Sequence, residues 1–294
     1  MPILSRREFL ASAVAGAVSA QTAEPILDIH QHTNYSGRTD EEMLAHQDRM
    51  GITKTILLPA GSKYGLAVGA GGNETVLRIA RAHPGRYYFF ANELPDIENT
   101  RGEMEKYLKL GAIGIGEQKF GLESDSKAMH LVYSIAREFR VPVLLHFQHG
   151  TYNFGIERFH KVLEQYQTVA FIGHAQTWWG NIDKKHEQAV MYPKTPLTPG
   201  GISDRLLSDY PNMYGDLSAG SGLNALARDE EHARAFLARH QNQLLYGSDC
   251  SDRIGHGEKC SGSQQIAAVR RLAPSPEAAR KMLCGNAVRL FGIT

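Results

Sequence analysis

Eight short apolar runs, rich in β-branched and aromatic residues, alternate with helix-length stretches along 294 residues. The runs fall at 25–32, 53–58, 86–92, 112–119, 141–146, 169–174, 212–218 and 243–249. Between and after them, amphipathic stretches at 40–50, 73–83, 98–110, 126–140, 156–166, 202–209, 223–239, 263–272 and 276–290 read as helices. Strict alternation of strand and helix builds parallel sheets, because each helix carries the chain back to start the next strand. Eight such units with no repeat and no break favour a single-domain α/β fold, a (β/α)8 barrel, over an open doubly wound sheet.

That fold gathers chemistry at the C-terminal ends of its strands, and the ends here are polar in a particular way. Run one ends Asp28-Ile29-His30-Gln31-His32, run four contains Glu117, runs five and six end in His146 and His174, and run eight ends in Asp249. In an extended strand alternate residues share a face, so His30 and His32 point the same way, with Asp28 behind them. Two imidazoles so placed can chelate one ion, and the further ends bring His146, His174, Glu117 and Asp249 to the same mouth. Imidazole and carboxylate donors suit zinc and its neighbours.

The ordered set HxH, His, His, Asp resembles the amidohydrolase superfamily, and in it the amidohydrolase-related (amidohydrolase 2) branch. The resemblance rests on Asp28-Ile29-His30-Gln31-His32, His146, Ile172-Gly173-His174, the run 212–218, Leu245-Tyr246-Gly247-Ser248-Asp249 and Asn286-Ala287-Val288-Arg289-Leu290-Phe291. It implies a metal-dependent hydrolase with a divalent metal, most often zinc, at the barrel mouth. His30, His32 and His146 would be ligands. His174 would hold a second ion or polarise substrate. Asp249 would bind metal and take the proton of the activated water. Gly114-Ile115-Gly116-Glu117 departs from the commonest pattern of the branch and is similar to the strand-four glutamate of TatD-type relatives, which leaves one ion or two open. Lys119, two residues on, is expected on the same face as Glu117, as a substrate-binding or carboxylated lysine.

The reaction class this supports is hydrolysis of an amide, lactone or ester by a metal-activated water. Decarboxylation of an aromatic or unsaturated acid uses the same constellation in this branch and stays open. A non-catalytic metal-containing binding protein would keep the histidines but would not need Asp249. Trp178 and Trp179 lie in a long stretch, 175–199, that reads as a functional loop or lid; they either line an aromatic substrate pocket or pack the loop. Asp216 is expected to hydrogen-bond near the mouth. His46, His83, His130, His160, His186, His232 and His240 read as surface residues, His149 and His256 as loop residues.

Composition narrows the partners to a small-molecule substrate. A net charge of +1 gives no polyanion-binding surface, which argues against nucleic acid. Three cysteines, Cys250, Cys260 and Cys284, are too few for a disulfide framework; Cys250 and Cys260 could still pair in an oxidising compartment. At the N-terminus, Ser5-Arg6-Arg7-Glu8-Phe9-Leu10 precedes an Ala-rich apolar stretch ending at Ala20. It resembles a twin-arginine export signal. Residues 1–20 are therefore expected to be removed, leaving the barrel, 25–294, periplasmic or secreted without a membrane anchor.

Overall fold

The computed structural model describes residues 24–61 and 69–293; the expected signal, residues 1–20, lies outside them. Each apolar run contains a strand: β1 (Leu27–Gln31), β2 (Lys54–Leu57), β3 (Tyr87–Phe89), β4 (Ile115–Gln118), β5 (Val143–His146), β6 (Phe171–His174), β7 (Met213–Asp216) and β8 (Leu244–Leu245). The helices are α1 (Asp40–Arg49), α2 (Asn73–Ala82), α3 (Thr100–Lys109), α4 (Lys127–Phe139), α5 (His160–Gln165), α6 (Ala175–Gly180), α7 (Ile202–Asp209), α8 (Ala219–Ala227), α9 (Glu230–His240), α10 (Ser261–Leu272), α11 (Pro276–Arg280) and α12 (Asn286–Phe291). The strands are parallel and neighbour one another in chain order, as the ladders β1-β2-β3 and β4-β5-β6-β7-β8. Backbone bonds cross both seams. Ala91 N donates to Gly114 O (2.9 Å) between β3 and β4, and Ile29 N donates to Tyr246 O (3.1 Å) between β1 and β8. This is the expected barrel.

Its strands are apolar on both faces because both faces are buried. Leu27, Ile29, Ile56, Leu58, Phe90, Leu144, Ile172 and Leu245 fill the barrel, and Ala287 and Ile293 from the C-terminal segment seal it. Val143, Leu145, Phe171, Met213 and Leu244 belong to a separate outer core shared with Met129 and Val132 of α4 and Phe236 and Leu237 of α9.

Local signals set the helix ends. Thr39 and Glu42 form a reciprocal capping box at α1, and Ser126 caps α4. Asp229 accepts from His232 N and starts α9, so the single helix expected over 223–239 is two.

The stretch expected to be a lid begins as α6, directly after β6, and its tryptophans are core residues. Trp178 is fully buried and stacks on Phe147 at 6.2 Å; Trp179 packs on Phe236 at 6.1 Å. The pocket-lining alternative is thereby replaced by packing, because two indoles offer more apolar area than a solvated loop can leave exposed. A Cβ on Gly173 would lie 2.4 Å from the Trp178 ring, so β6 needs glycine there. Three histidines expected at the surface are buried as well: His46, His232 and His240.

His240 has a charge-bearing partner. Its Nε2 lies 2.7 Å from Asp204 Oδ1, and Arg239 donates to the same carboxylate at 3.0 Å, joining α9 to α7. Burial alone would raise the Asp204 pKa; His240 and Arg239 instead hold it at about 2, against an ordinary 3.8. The folded pKa is the lower one, so this stabilisation is complete above the ordinary value and is lost as pH falls toward the folded one. Asp204→Asn should lower stability by about 2 kcal/mol at neutral pH. In thermal melts followed against pH, the gap from the parent protein should close on the way down to pH 2, whereas a constant gap would show that the charge is not what stabilises.

Candidate metal centre

Two bulges aim the mouth residues. Between Asp28 and Gln31, β1 spans three residues while β2 spans two, Thr55 to Leu57; between Ile115 and Gln118, β4 spans three while β5 spans two. An extra residue shifts the parity of side-chain alternation. Past these points His30, His32 and Glu117 turn into the mouth. Asp28 does not share their face. Its carboxylate accepts from His30 N (3.0 Å) and Ser248 N (2.8 Å), stitching β1 to the end of β8. Gly116 sits at φ +142° with Leu144 O 2.8 Å from where a Cβ would be, so only glycine fits before Glu117. His146 and His174 are register partners on β5 and β6 and reach the mouth at the same level.

The rings are fixed by their outer nitrogens. His30 Nδ1 lies 2.7 Å from Asp216 Oδ2, His32 Nδ1 lies 2.8 Å from Leu58 O, and His174 Nδ1 lies 3.0 Å from Ser218 Oγ and 3.1 Å from Asp216 Oδ2. A carbonyl and a carboxylate can only accept, so His30 and His32 carry their protons on Nδ1. Their Nε2 lone pairs then face each other 3.1 Å apart. With both rings neutral neither can donate to the other, so the pair calls for positive charge, either a second proton on His30 or a metal cation.

Acidic oxygens surround that point. Glu117 Oε2 is 3.7 Å from His30 Nε2 and 3.5 Å from His32 Nε2; Asp249 Oδ1 is 3.7 and 3.6 Å from the same atoms. The other Glu117 oxygen faces a second nitrogen pair, 2.5 Å from His146 Nδ1 and 3.7 Å from His174 Nε2. Asp249 Oδ2 lies 3.5 Å from His174 Nε2. Ligands about 2.0–2.2 Å from one zinc stand about 3–3.5 Å apart, so most of these separations are close to the edges of a coordination shell. The residues present fit a divalent metal, and Glu117 belongs to two donor groups at once, with His30 and His32 and with His146 and His174.

The sequence model of the amidohydrolase family matches residues 204–293, which include Asp216 and Asp249. Comparison with curated protein sequences gives no match. Among solved structures, an uncharacterized TIM-barrel protein from Bordetella bronchiseptica is 15% identical with a TM-score of 0.66, covering 91% of this chain and 98% of its own. A probable 2-pyrone-4,6-dicarboxylic acid hydrolase from Acinetobacter baumannii, with citric acid bound, is 15% identical at 0.59, covering 91% and 99%. A 5-carboxyvanillate decarboxylase from Novosphingobium aromaticivorans, complexed with manganese, is 12% identical at 0.59, covering 92% and 97%. The last third of the chain thus matches the amidohydrolase family model, and the whole chain shares the fold of these structures. At these identities the likeness is one of fold.

The charges of the site compensate one another. Burial alone would raise the Glu117 carboxyl; His146 and Lys119 instead pull it well below the ordinary value. Asp249 is held at about 2 against the same burial, by His30 and His174. For His30 burial pulls down, yet Asp249 and Asp216 hold it well above 6.5. Lys119 lies at the mouth but is partly exposed, its Nζ 5.6 Å from the Tyr152 ring.

Of the residues that hold others in place, sequence reasoning expected Asp216 to hydrogen-bond near the mouth and missed Ser218 and Tyr35. Asp216 is fully buried and serves two rings at once, and Ser218 Oγ donates to it at 2.7 Å. Tyr35 sits edge-on to His32 at 5.1 Å, and burial with the nearby Asp249 and Glu117 carboxylates pushes its phenol up in pKa. Asp216 did carry a signal, since it ends β7 as the histidines end β5 and β6. Tyr35 carried none, lying in a turn after β1. Asp216→Asn should weaken binding of added zinc by about 10–100-fold, measured by titrating the stripped protein with a competing chelator; unchanged affinity would show that the rings need no such anchor.

Proposed function

We propose that the protein is an exported, metal-dependent hydrolase acting on an amide, lactone or ester bond. The observation that supports it best is the placement of Glu117 between the His30/His32 and His146/His174 pairs, with Asp249 reaching both sides. His30, His32, Glu117, His146, His174 and Asp249 would hold one or two divalent ions, zinc being the first candidate from the donor set. A divalent ion bound there would bring water to ionise near neutrality and polarise a substrate carbonyl.

The chain's own groups do the rest. Asp249 accepts the proton of the attacking water at Oδ2 and returns it to the leaving atom, so no external acid is required. Asp216 and Ser218 keep the rings of His30 and His174 aimed inward while that proton moves. Lys119, partly exposed beside Tyr152, offers an ammonium to an anionic group of the substrate. The same lysine supports the second reading, decarboxylation, because a decarboxylase must hold a substrate carboxylate; manganese-complexed 5-carboxyvanillate decarboxylase is among the structures of this fold.

Elemental analysis of the purified protein should find about one or two equivalents of divalent metal, lost in His30→Ala/His32→Ala. Asp249→Asn should retain metal and lose about 10²–10⁴-fold in turnover. A panel of lactones, amides, esters and aromatic acids separates the two reactions, since only decarboxylation releases carbon dioxide without consuming water. Full activity in Asp249→Asn would remove the proton-transfer role, and a protein that neither contains nor takes up metal would remove the enzyme with it. The mature protein should begin at Gln21, which mass measurement of the exported form checks.

A further inference from the structure

A second cluster of metal-binding side chains lies outside the barrel mouth. His46 of α1, Cys250 just past β8 and Cys260 at the start of α10 are all buried, and a nitrogen and two sulfurs from them lie within 4.8 Å of one another. Cys250 Sγ and Cys260 Sγ are 3.8 Å apart, and Cys260 Sγ is 3.4 Å from His46 Nε2. Asp252 Oδ2 lies 3.8 Å from His46 Nε2 and accepts from Ile254 N and Gly255 N. Met50 Sδ adds a thioether 3.6 Å from Cys260.

These lengths exclude a disulfide and, besides hydrogen-bonded thiols, fit the donors of one metal ion. A disulfide holds its sulfurs about 2.05 Å apart, and both cysteines here are free. Two thiolates on one tetrahedral zinc, each at about 2.3 Å, stand about 3.8 Å apart, and a thiolate and an imidazole stand about 3.5 Å apart. The observed 3.8 and 3.4 Å follow the second pattern. Sulfur, sulfur and imidazole, with a carboxylate oxygen nearby, also make a softer donor set than the carboxylate-rich mouth, and it selects zinc over magnesium or calcium.

We propose that His46, Cys250 and Cys260 form a zinc site that fastens the loop after β8 to α1 and α10. Zinc takes the place of two thiol protons, which leave to solvent. The consequence for the mouth is mechanical, since Cys250 is the residue after Asp249. The proposal stands independently of what the mouth catalyses.

Cobalt(II) tests it in the full-length protein, stripped of metal under reductant. Cobalt should produce an intense thiolate-to-cobalt charge-transfer band in the near ultraviolet, which the mouth, having no sulfur, cannot give. The band should persist in His30→Ala and disappear in Cys260→Ser. Zinc should also slow alkylation of Cys250 and Cys260 in the native parent protein by about tenfold or more, because a zinc-held, buried thiolate is a poor nucleophile, while Cys284 reacts at an unchanged rate. This measurement needs no variant to fold. No band in the folded parent protein, a band that survives Cys260→Ser, or a Cys250–Cys260 disulfide that forms whether or not zinc is present would each overturn the proposal.

Discussion

Glu117 is a buried carboxylate with imidazoles on both sides, and the upper half of the barrel is arranged to keep it there. An ion taken out of water costs several kcal/mol even after the protein relaxes, so a cluster of buried carboxylates and imidazoles holds together only where each charge meets its opposite. The arrangement does this in two layers. The inner layer sets Glu117 and Asp249 against the histidine nitrogens. The outer layer sets Asp216 behind His30 and His174, and Leu58 O behind His32. The outer layer fixes which nitrogen of each of these rings faces inward. Binding a divalent ion would relieve the lone-pair opposition between His30 and His32 that the outer layer creates.

Much of this was legible in the sequence because the fold ties position to chemistry. A histidine that closes an apolar run sits at the C-terminal end of a strand, and His146 and His174 needed no more than that. His30 and His32 were read at the mouth by simple alternation and Glu117 from its place at the end of its run, and they are there for a different reason. Bulges in β1 and β4 reset the parity, moving Asp28 away from its expected face. A bulge leaves little trace in one sequence beyond a glycine such as Gly116, whose left-handed backbone and close approach to Leu144 O become visible only when β5 is in place.

The misread residues share a cause. Trp178, Trp179, His46 and His240 all lie in stretches that read as loop or amphipathic helix, where burial depends on what packs from elsewhere in the chain. Trp178 is buried by Phe147, and His240 by Asp204, partners at the far ends of other units. Local pattern identifies elements; it does not say which of two polar faces will find a partner. The helix break at Asp229 is the converse case, a local cap that a long apolar period concealed.

The end of β8 is where these threads meet. The strand proper is two residues long, yet the segment after it supplies Ser248 to Asp28, Asp249 to the mouth and Cys250 to the buried sulfur cluster. Asp249 sits at φ +39°, a conformation that a non-glycine residue holds only when its surroundings impose it. Two restraints are visible: Asp249 N donates to His30 O at 2.8 Å, and the Cys250 carbonyl is gripped by Arg38 Nη1 at 2.9 Å and Gln31 Nε2 at 3.2 Å. A carboxylate that must both face histidines and move a proton is thus held through its own backbone, from β1 on one side and from the loop that follows on the other. Changes at the sulfur cluster would therefore act on the Asp249 position through one peptide unit, without touching any side chain of the mouth.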